Sequence, residues 1–205
     1  MKIGYCTWGM PTVPIDTIVP FLAETGFDSL EPTVAPGWSI ELYSMDTAER
    51  KRILRLIQVH GLEIPAVAGH TPLVEQDAEA HARNFKRLCD TVDLCVEWTL
   101  GDRPPALDTT VGGKPEEWDA LKPLLVDRIG ALVEYGASRN VVIALEPHFA
   151  TAISTPERML ELIDIIKSPY LKVNFDISHF NITGYSITKS VELMAPVTEH
   201  THIKD

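Results

Sequence analysis

Short apolar runs of strand character alternate with longer stretches of helical spacing along the whole chain. This alternation restricts the fold more than any other feature. The strand-like runs are Lys2 to Thr7, Phe27 to Glu31, Glu63 to Gly69, Leu94 to Thr99, Val141 to Leu145, Leu171 to Phe175 and Glu199 to Ile203. The clearest is Val141-Val142-Ile143-Ala144-Leu145, continuously apolar as a parallel strand covered on both faces must be. Between the runs, Ile15 to Glu24 is helical and Gly26 follows as a C-cap. Asp46-Thr47-Ala48-Glu49 reads as a capping box ahead of Ile53, Leu54, Ile57 and Leu62. Val74 to Asp90 and Glu117 to Tyr135 predict longer helices. Ser154-Thr155-Pro156-Glu157 supplies an N-cap, a first-turn proline and a capping glutamate for another. Ser186 to Leu193 predicts a short helix, and Gly101 to Glu116, rich in Gly, Pro, Asp and Thr, reads as the one long loop.

A parallel β-α alternation of seven steps leaves two architectures, a doubly wound sheet or a (β/α)₈ barrel. The first turn, Thr7-Trp8-Gly9-Met10-Pro11, carries neither a G-x-G-x-x-G fingerprint nor a P-loop, which disfavours the nucleotide-binding form of the first. With 205 residues, 45% hydrophobic and 23% charged, the chain can bury a full core and is not a disordered type. No apolar run approaches the ~18 residues of a membrane span. Cys6, Cys89 and Cys95 are scattered and odd in number. They predict reduced thiols used as core filler and, with no apolar leader at the N-terminus, a cytoplasmic protein. Lys and Arg total 18 against 29 Asp and Glu, a net charge of −11, which argues against generic nucleic-acid binding.

The strand ends carry the chemistry. In order they read Trp8, Glu31, His70, Trp98-Thr99, Glu146-Pro147-His148, Asp176-Ile177-Ser178-His179 and His202-Ile203-Lys204-Asp205. In a barrel all these ends open onto one face, so their side chains converge. Carboxylates and imidazoles are costly in a closed core unless paired or metal-bound. Singly, Glu146 reads as a rim ion pair, Asp176 as an N-cap, and His179 and His202 as hydrogen-bonded core histidines. Together, Glu, Asp and His at successive strand ends suit a divalent cation with mixed oxygen and nitrogen ligands. Trp8 and Trp98 are candidates for stacking on a sugar or for rim packing. His70 is a candidate substrate or second-metal contact, and Glu31 a supporting carboxylate or rim ion pair. His148 falls on the Glu146 side if the strand continues. Lys204 is placed either toward substrate or in a rim salt bridge. Cys6, with no partner base evident, reads as core.

The motifs Leu145-Glu146-Pro147-His148, Phe175-Asp176-Ile177-Ser178-His179 and His202-Ile203-Lys204-Asp205, in this order and about one β-α unit apart, resemble the xylose isomerase-like TIM barrels. That family comprises sugar phosphate isomerases and epimerases and includes endonuclease IV. The resemblance spans essentially the whole chain. It implies a (β/α)₈ TIM barrel of which these residues supply about seven strands. Residues 1–205 then form one barrel domain lacking its last β-α unit, and with it the glutamate that is the family's fourth metal ligand. It implies Glu146, Asp176 and His202 as metal ligands, Glu146 and His179 as catalytic groups, and Trp8, His70, His148, His179 and Lys204 as substrate contacts. The implied cofactor is a divalent cation, Mn²⁺ first, with Mg²⁺, Co²⁺ or Zn²⁺ as alternatives. The implied substrate is a small sugar, keto-sugar or polyol, and homo-oligomers are common.

The implied activity is isomerisation or epimerisation by proton abstraction beside a carbonyl. A dehydratase acting on an inosose or dehydroshikimate begins with the same step and remains open. An endonuclease IV-like zinc nuclease is disfavoured, because Glu97-Trp98-Thr99-Leu100 lacks the histidine that family needs there and the charge opposes DNA. An incomplete barrel without catalysis is the remaining alternative.

Overall fold

The structure is a computed structural model and describes residues 2–204. Its strands are β1 (Gly4–Cys6), β2 (Ser29–Glu31), β3 (Ala66–Ala68), β4 (Ala106–Thr109), β5 (Ile143–Leu145), β6 (Leu171–Asp176) and β7 (Thr198–His202). Between them run α1 (Ile15–Glu24), α2 (Thr47–Val59), α3 (Ala78–Glu97), α4 (Trp118–Ser138), α5 (Pro156–Ile166), α6 (Ile177–Ile182) and α7 (Ile187–Met194). Every strand pairing is parallel: β1 with β2, and β3 through β7 in chain order. Single parallel bridges, Ser29 to Glu63 and Thr33 to Ala68, join the two sheets. The result is one curved wall of a β/α barrel, strands in sequence order and helices outside.

Two corrections concern the fourth β-α unit. Leu94 to Thr99 is not a strand. It is the final turn and cap of α3, whose Leu88, Val92 and Cys95 are buried at helical spacing. Trp98 consequently does not end a strand. It is the C-cap residue of α3, only 1% exposed, and donates from Nε1 to the Arg50 carbonyl at 3.2 Å. The true β4, Ala-Leu-Asp-Thr, lies inside the segment read as a long loop.

Elsewhere local chemistry sets the elements. Asp46 caps α2 by accepting from the Glu49 N–H, and Asp77 caps α3 by accepting from Ala80. At α5, Thr155 is the N-cap, with Pro156 in the first helical position.

Alternation along the strands sorts the side chains. Val67, Leu107, Ile143, Leu145 and Val173 face the helices and belong to the main core. The opposite face of β3–β5 begins with small Ala66, Ala106 and Ala144, which pack on one another. Further along the same face stand Asp108 and Glu146, so a floor of alanines leaves room above it for polar groups.

Candidate active site and metal centre

Glu146 follows β5 directly, and its backbone N–H donates to the Thr109 carbonyl at 2.9 Å, continuing the ladder one residue past the strand. It is 7% exposed. Asp176 closes β6 and doubles as the N-cap of α6, accepting from the Ser178 N–H and hydroxyl at 2.9 and 2.6 Å. That cap fixes His179 one turn on. Its Nε2 lies 3.4 Å from Asp176 Oδ2 and 3.7 Å from Glu146 Oε1. Lys204 sets its ammonium 2.8 Å from Asp176 Oδ2 and 3.3 Å from His179 Nε2. The His148 ring lies 3.9 Å from that of His179, centroid to centroid, and accepts from the Ala150 N–H through Nδ1. Glu146, Asp176, His148, His179 and Lys204 are therefore brought together.

His202 joins this group from the far side. Its Nδ1 is 3.3 Å from Glu146 Oε1, while its Nε2 is 2.6 Å from Glu31 Oε2. His200, two residues earlier and hence on the same face of β7, reaches the same Glu31 oxygen at 3.3 Å. Glu31 is thus a fully enclosed partner of two imidazoles rather than a rim carboxylate. His70 and Trp8 form a separate wall. Their rings meet edge to face at 5.0 Å, Trp8 lies 4.3 Å from Trp38, and His70 Nε2 is 3.6 Å from Asp108 Oδ2.

Electrostatics follows from this packing. Burial alone would raise the Glu146 carboxyl, but hydrogen bonds from His179 and His202 overcome it and hold the group well below the usual carboxylate range. Glu31 is depressed in the same way, with His200 and His202 overcoming its burial. Burial would lower His202, yet its contacts with Cys6, Glu146 and Glu31 hold it far above the ordinary histidine range. Burial, and then the charges of Glu31 and Glu146, push Asp108 the other way, well above a normal aspartate. His70 is lowered by burial, and His148 by burial and then by His179.

These donors suit a divalent cation. Glu146, Asp176 and His179 each offer a ligand atom, all within 4.8 Å of one another. Oxygen-rich mixed sites of this kind take Mg²⁺, Mn²⁺ or Zn²⁺. Lys204 places a positive charge against Asp176 Oδ2.

Four interior groups escaped the sequence reading or were underrated by it: Glu31, Asp108, Asn174 and His200. Alternation from Asp176 and His202 points to Asn174 and His200, which also face each other in register. Asp108 was hidden with its strand. Asp205 lies outside the described residues.

The chain is similar to several known proteins. A curated 3-dehydroshikimate dehydratase of Bacillus anthracis is 24% identical over 209 residues, covering 100% of this chain and 72% of that protein. The crystal structure of the probable 3-DHS dehydratase involved in petrobactin synthesis in that organism superposes with a TM-score of 0.84 at 23% identity, over 100% of this chain and 73% of the other. The 3-keto-D-glucoside 4-epimerase of E. coli gives a TM-score of 0.81 at 17% identity, covering 100% and 79%. The IOLI protein, solved with a binding zinc atom, gives 0.83 at 18%, covering 100% and 73%. The sequence model described as xylose isomerase-like TIM barrel matches residues 19–205, so the chain belongs to the xylose isomerase-like TIM barrel family.

Proposed function

We propose that the chain carries the site of a divalent-metal-dependent enzyme that abstracts a proton beside a carbonyl of a small sugar or polyol, as an isomerase or epimerase. The observation that carries this reading is Glu146, an enclosed carboxylate kept ionised by two imidazoles and set against Asp176 at the open ends of the strands. An ionised carboxylate at the reacting carbon can accept its proton, and because the imidazoles weaken it as a base, the bound cation would have to acidify that carbon.

Glu146 and Asp176 would hold the cation, with His202 joining from the Glu146 side through Nδ1, and the cation would supply Lewis-acid stabilisation of charge on a substrate oxygen. Glu146 takes the proton from the substrate carbon; in isomerisation it returns that proton to the neighbouring carbon, and in epimerisation it keeps it while a second acid delivers its own proton to the opposite face. His179, fixed by the Asp176 cap and the His148 ring, holds a substrate hydroxyl. Lys204 balances the charge of Asp176. The half-exposed Trp8 ring, backed by Trp38, offers a flat face to sugar C–H groups, with His70 beside it. Manganese and a cytoplasmic setting belong to the same reading.

A dehydratase is the second reading, and the Bacillus anthracis relative favours it. It shares the abstraction step and then expels a hydroxyl on the adjacent carbon as water. Incubation with Mn²⁺ and keto-sugars, inososes or 3-dehydroshikimate in D₂O separates the two. Deuterium at the carbon beside the carbonyl with conserved mass otherwise marks an isomerase or epimerase, and a product lighter by one water marks a dehydratase. Glu146→Gln abolishes both signals with the far-ultraviolet circular dichroism unchanged. Retained exchange in that variant would overturn the role of Glu146.

A further inference from the structure

A second group of donors stands on the other side of His202. Cys6 and Glu31 are register partners in the β1–β2 ladder, so their side chains project from the same face into the barrel. Cys6 Sγ, a Glu31 carboxylate oxygen and a His202 ring nitrogen all lie within 4.8 Å of one another. Glu31 is 3% exposed, and its Oε1 has no hydrogen-bond partner, although Oε2 is shared by His200 and His202. A buried, unpartnered carboxylate oxygen beside a free thiol and an imidazole is an arrangement that a cation completes. The donor set, one sulfur, one nitrogen and one oxygen, is softer than the oxygen-rich set at Glu146 and Asp176. It suits a thiophilic ion with three protein ligands and one open position.

We infer that Cys6, Glu31 and His202 form a second cation site, selective for Zn²⁺-like thiophilic ions, distinct from the Glu146 site and competing with it for His202. The competition follows from the ring. Nδ1 faces Glu146 and Nε2 faces Glu31. A neutral imidazole offers one lone pair, so it serves one cation at a time. Occupation of the Cys6 site displaces the thiol proton and the Nε2 proton to solvent, and leaves Nδ1 protonated and donating to Glu146, so that nitrogen has no lone pair for a cation there. Softness would then sort the cations: Mn²⁺ to the Glu146 side, Zn²⁺ or Cd²⁺ to the Cys6 side. The inference rests on the proposed function only through the competition for His202.

Cd²⁺ titration of the full chain tests it through the ultraviolet thiolate-to-Cd²⁺ charge-transfer band. The expected band saturates at one equivalent and disappears in Cys6→Ser. It persists in a Cys89→Ser/Cys95→Ala double variant, in which Cys6 is the sole thiol. Glu31→Gln weakens Cd²⁺ binding by about tenfold or more. No band in the wild-type or sole-thiol protein, or an unchanged band in Cys6→Ser, overturns the site. Because the double variant reports on Cys6 directly, the result stands even if Cys6→Ser does not fold. Failure of Mn²⁺ to bind, read separately by electron paramagnetic resonance, would count against the proposed function and would leave the Cd²⁺ band in place.

Discussion

His202 sits between two buried carboxylates, and the consequence is measurable at a single residue. Removing one member of a buried ion pair leaves the other charge uncompensated, at a cost of about 3–5 kcal/mol. His202→Gln should destabilise the chain by that order in urea titrations, and Glu31→Gln/His202→Gln should cost less than the sum of the single changes. The pH dependence has a definite sign. The folded-state value of His202 is raised above its unfolded value. Its contribution is therefore complete below the ordinary histidine range and is lost only as pH rises through the raised folded value, so it persists across neutral pH. Asp108 acts in the opposite sense. Its folded value is raised above the unfolded carboxylate value, so the folded state holds the extra proton and stability falls as pH rises from the acid range through the raised value. Asp108→Asn should therefore raise Tm at pH 8 and leave it nearly unchanged at pH 4. Each kcal/mol recovered is worth about 2–4 °C in a chain of this size. Equal shifts at both values would refute the assignment. The residues legible in the sequence were those at strand ends, Glu146, Asp176, His179, His202 and Lys204. Asn174 and His200 lie one alternation deeper, where strand periodicity from Asp176 and His202 reaches them, and the β6–β7 register sets them face to face.

Elements were legible where their own ends announce them. α1 has the bounds its pattern predicts, and α2 begins at its capping aspartate. β4 was not legible, because it is short and one of its four residues is a buried aspartate whose reason for being there is tertiary. The apolar Leu94 to Thr99 mimicked a strand because α3 is buried along its last turns by neighbours that no local pattern reveals. Two changes probe how the elements pack. Asp77→Ala removes the side chain that caps α3 and should cost about 1 kcal/mol. Gly136 brings α4 onto the strand start, where an added Cβ would stand 2.7 Å from the Val141 carbonyl oxygen and 2.9 Å from Ile143 Cδ1. Gly136→Ala should cost about 1–3 kcal/mol, the usual range for overpacking. A neutral result in denaturant titration would mean that α4 can shift away.

The whole molecule is an arc rather than a closed ring among the described residues, for β1 and β7 do not pair with each other. Beside β7, Phe175, Val191, Thr201 and Ile203 help line an apolar cavity of about 490 Å³, and Ile203 is 85% exposed. Cation binding should tighten the arc as a unit. At a Mn²⁺ concentration one hundredfold above its Kd, stability rises by about 2.7 kcal/mol and Tm by roughly 5–10 °C. Asp176→Asn should abolish that rise, and an undiminished rise in the variant would place Mn²⁺ elsewhere.

The hydrogen bond from His202 to Glu31 spans 171 positions of sequence. During synthesis the second strand leaves the ribosome long before its partner exists. Until the seventh strand arrives, Glu31 cannot be enclosed without stranding its charge. The early β-α units therefore have a built-in reason to stay open, and their final docking waits on the arrival of the seventh strand. Contacts of such separation slow folding, and here the delay has a single chemical address.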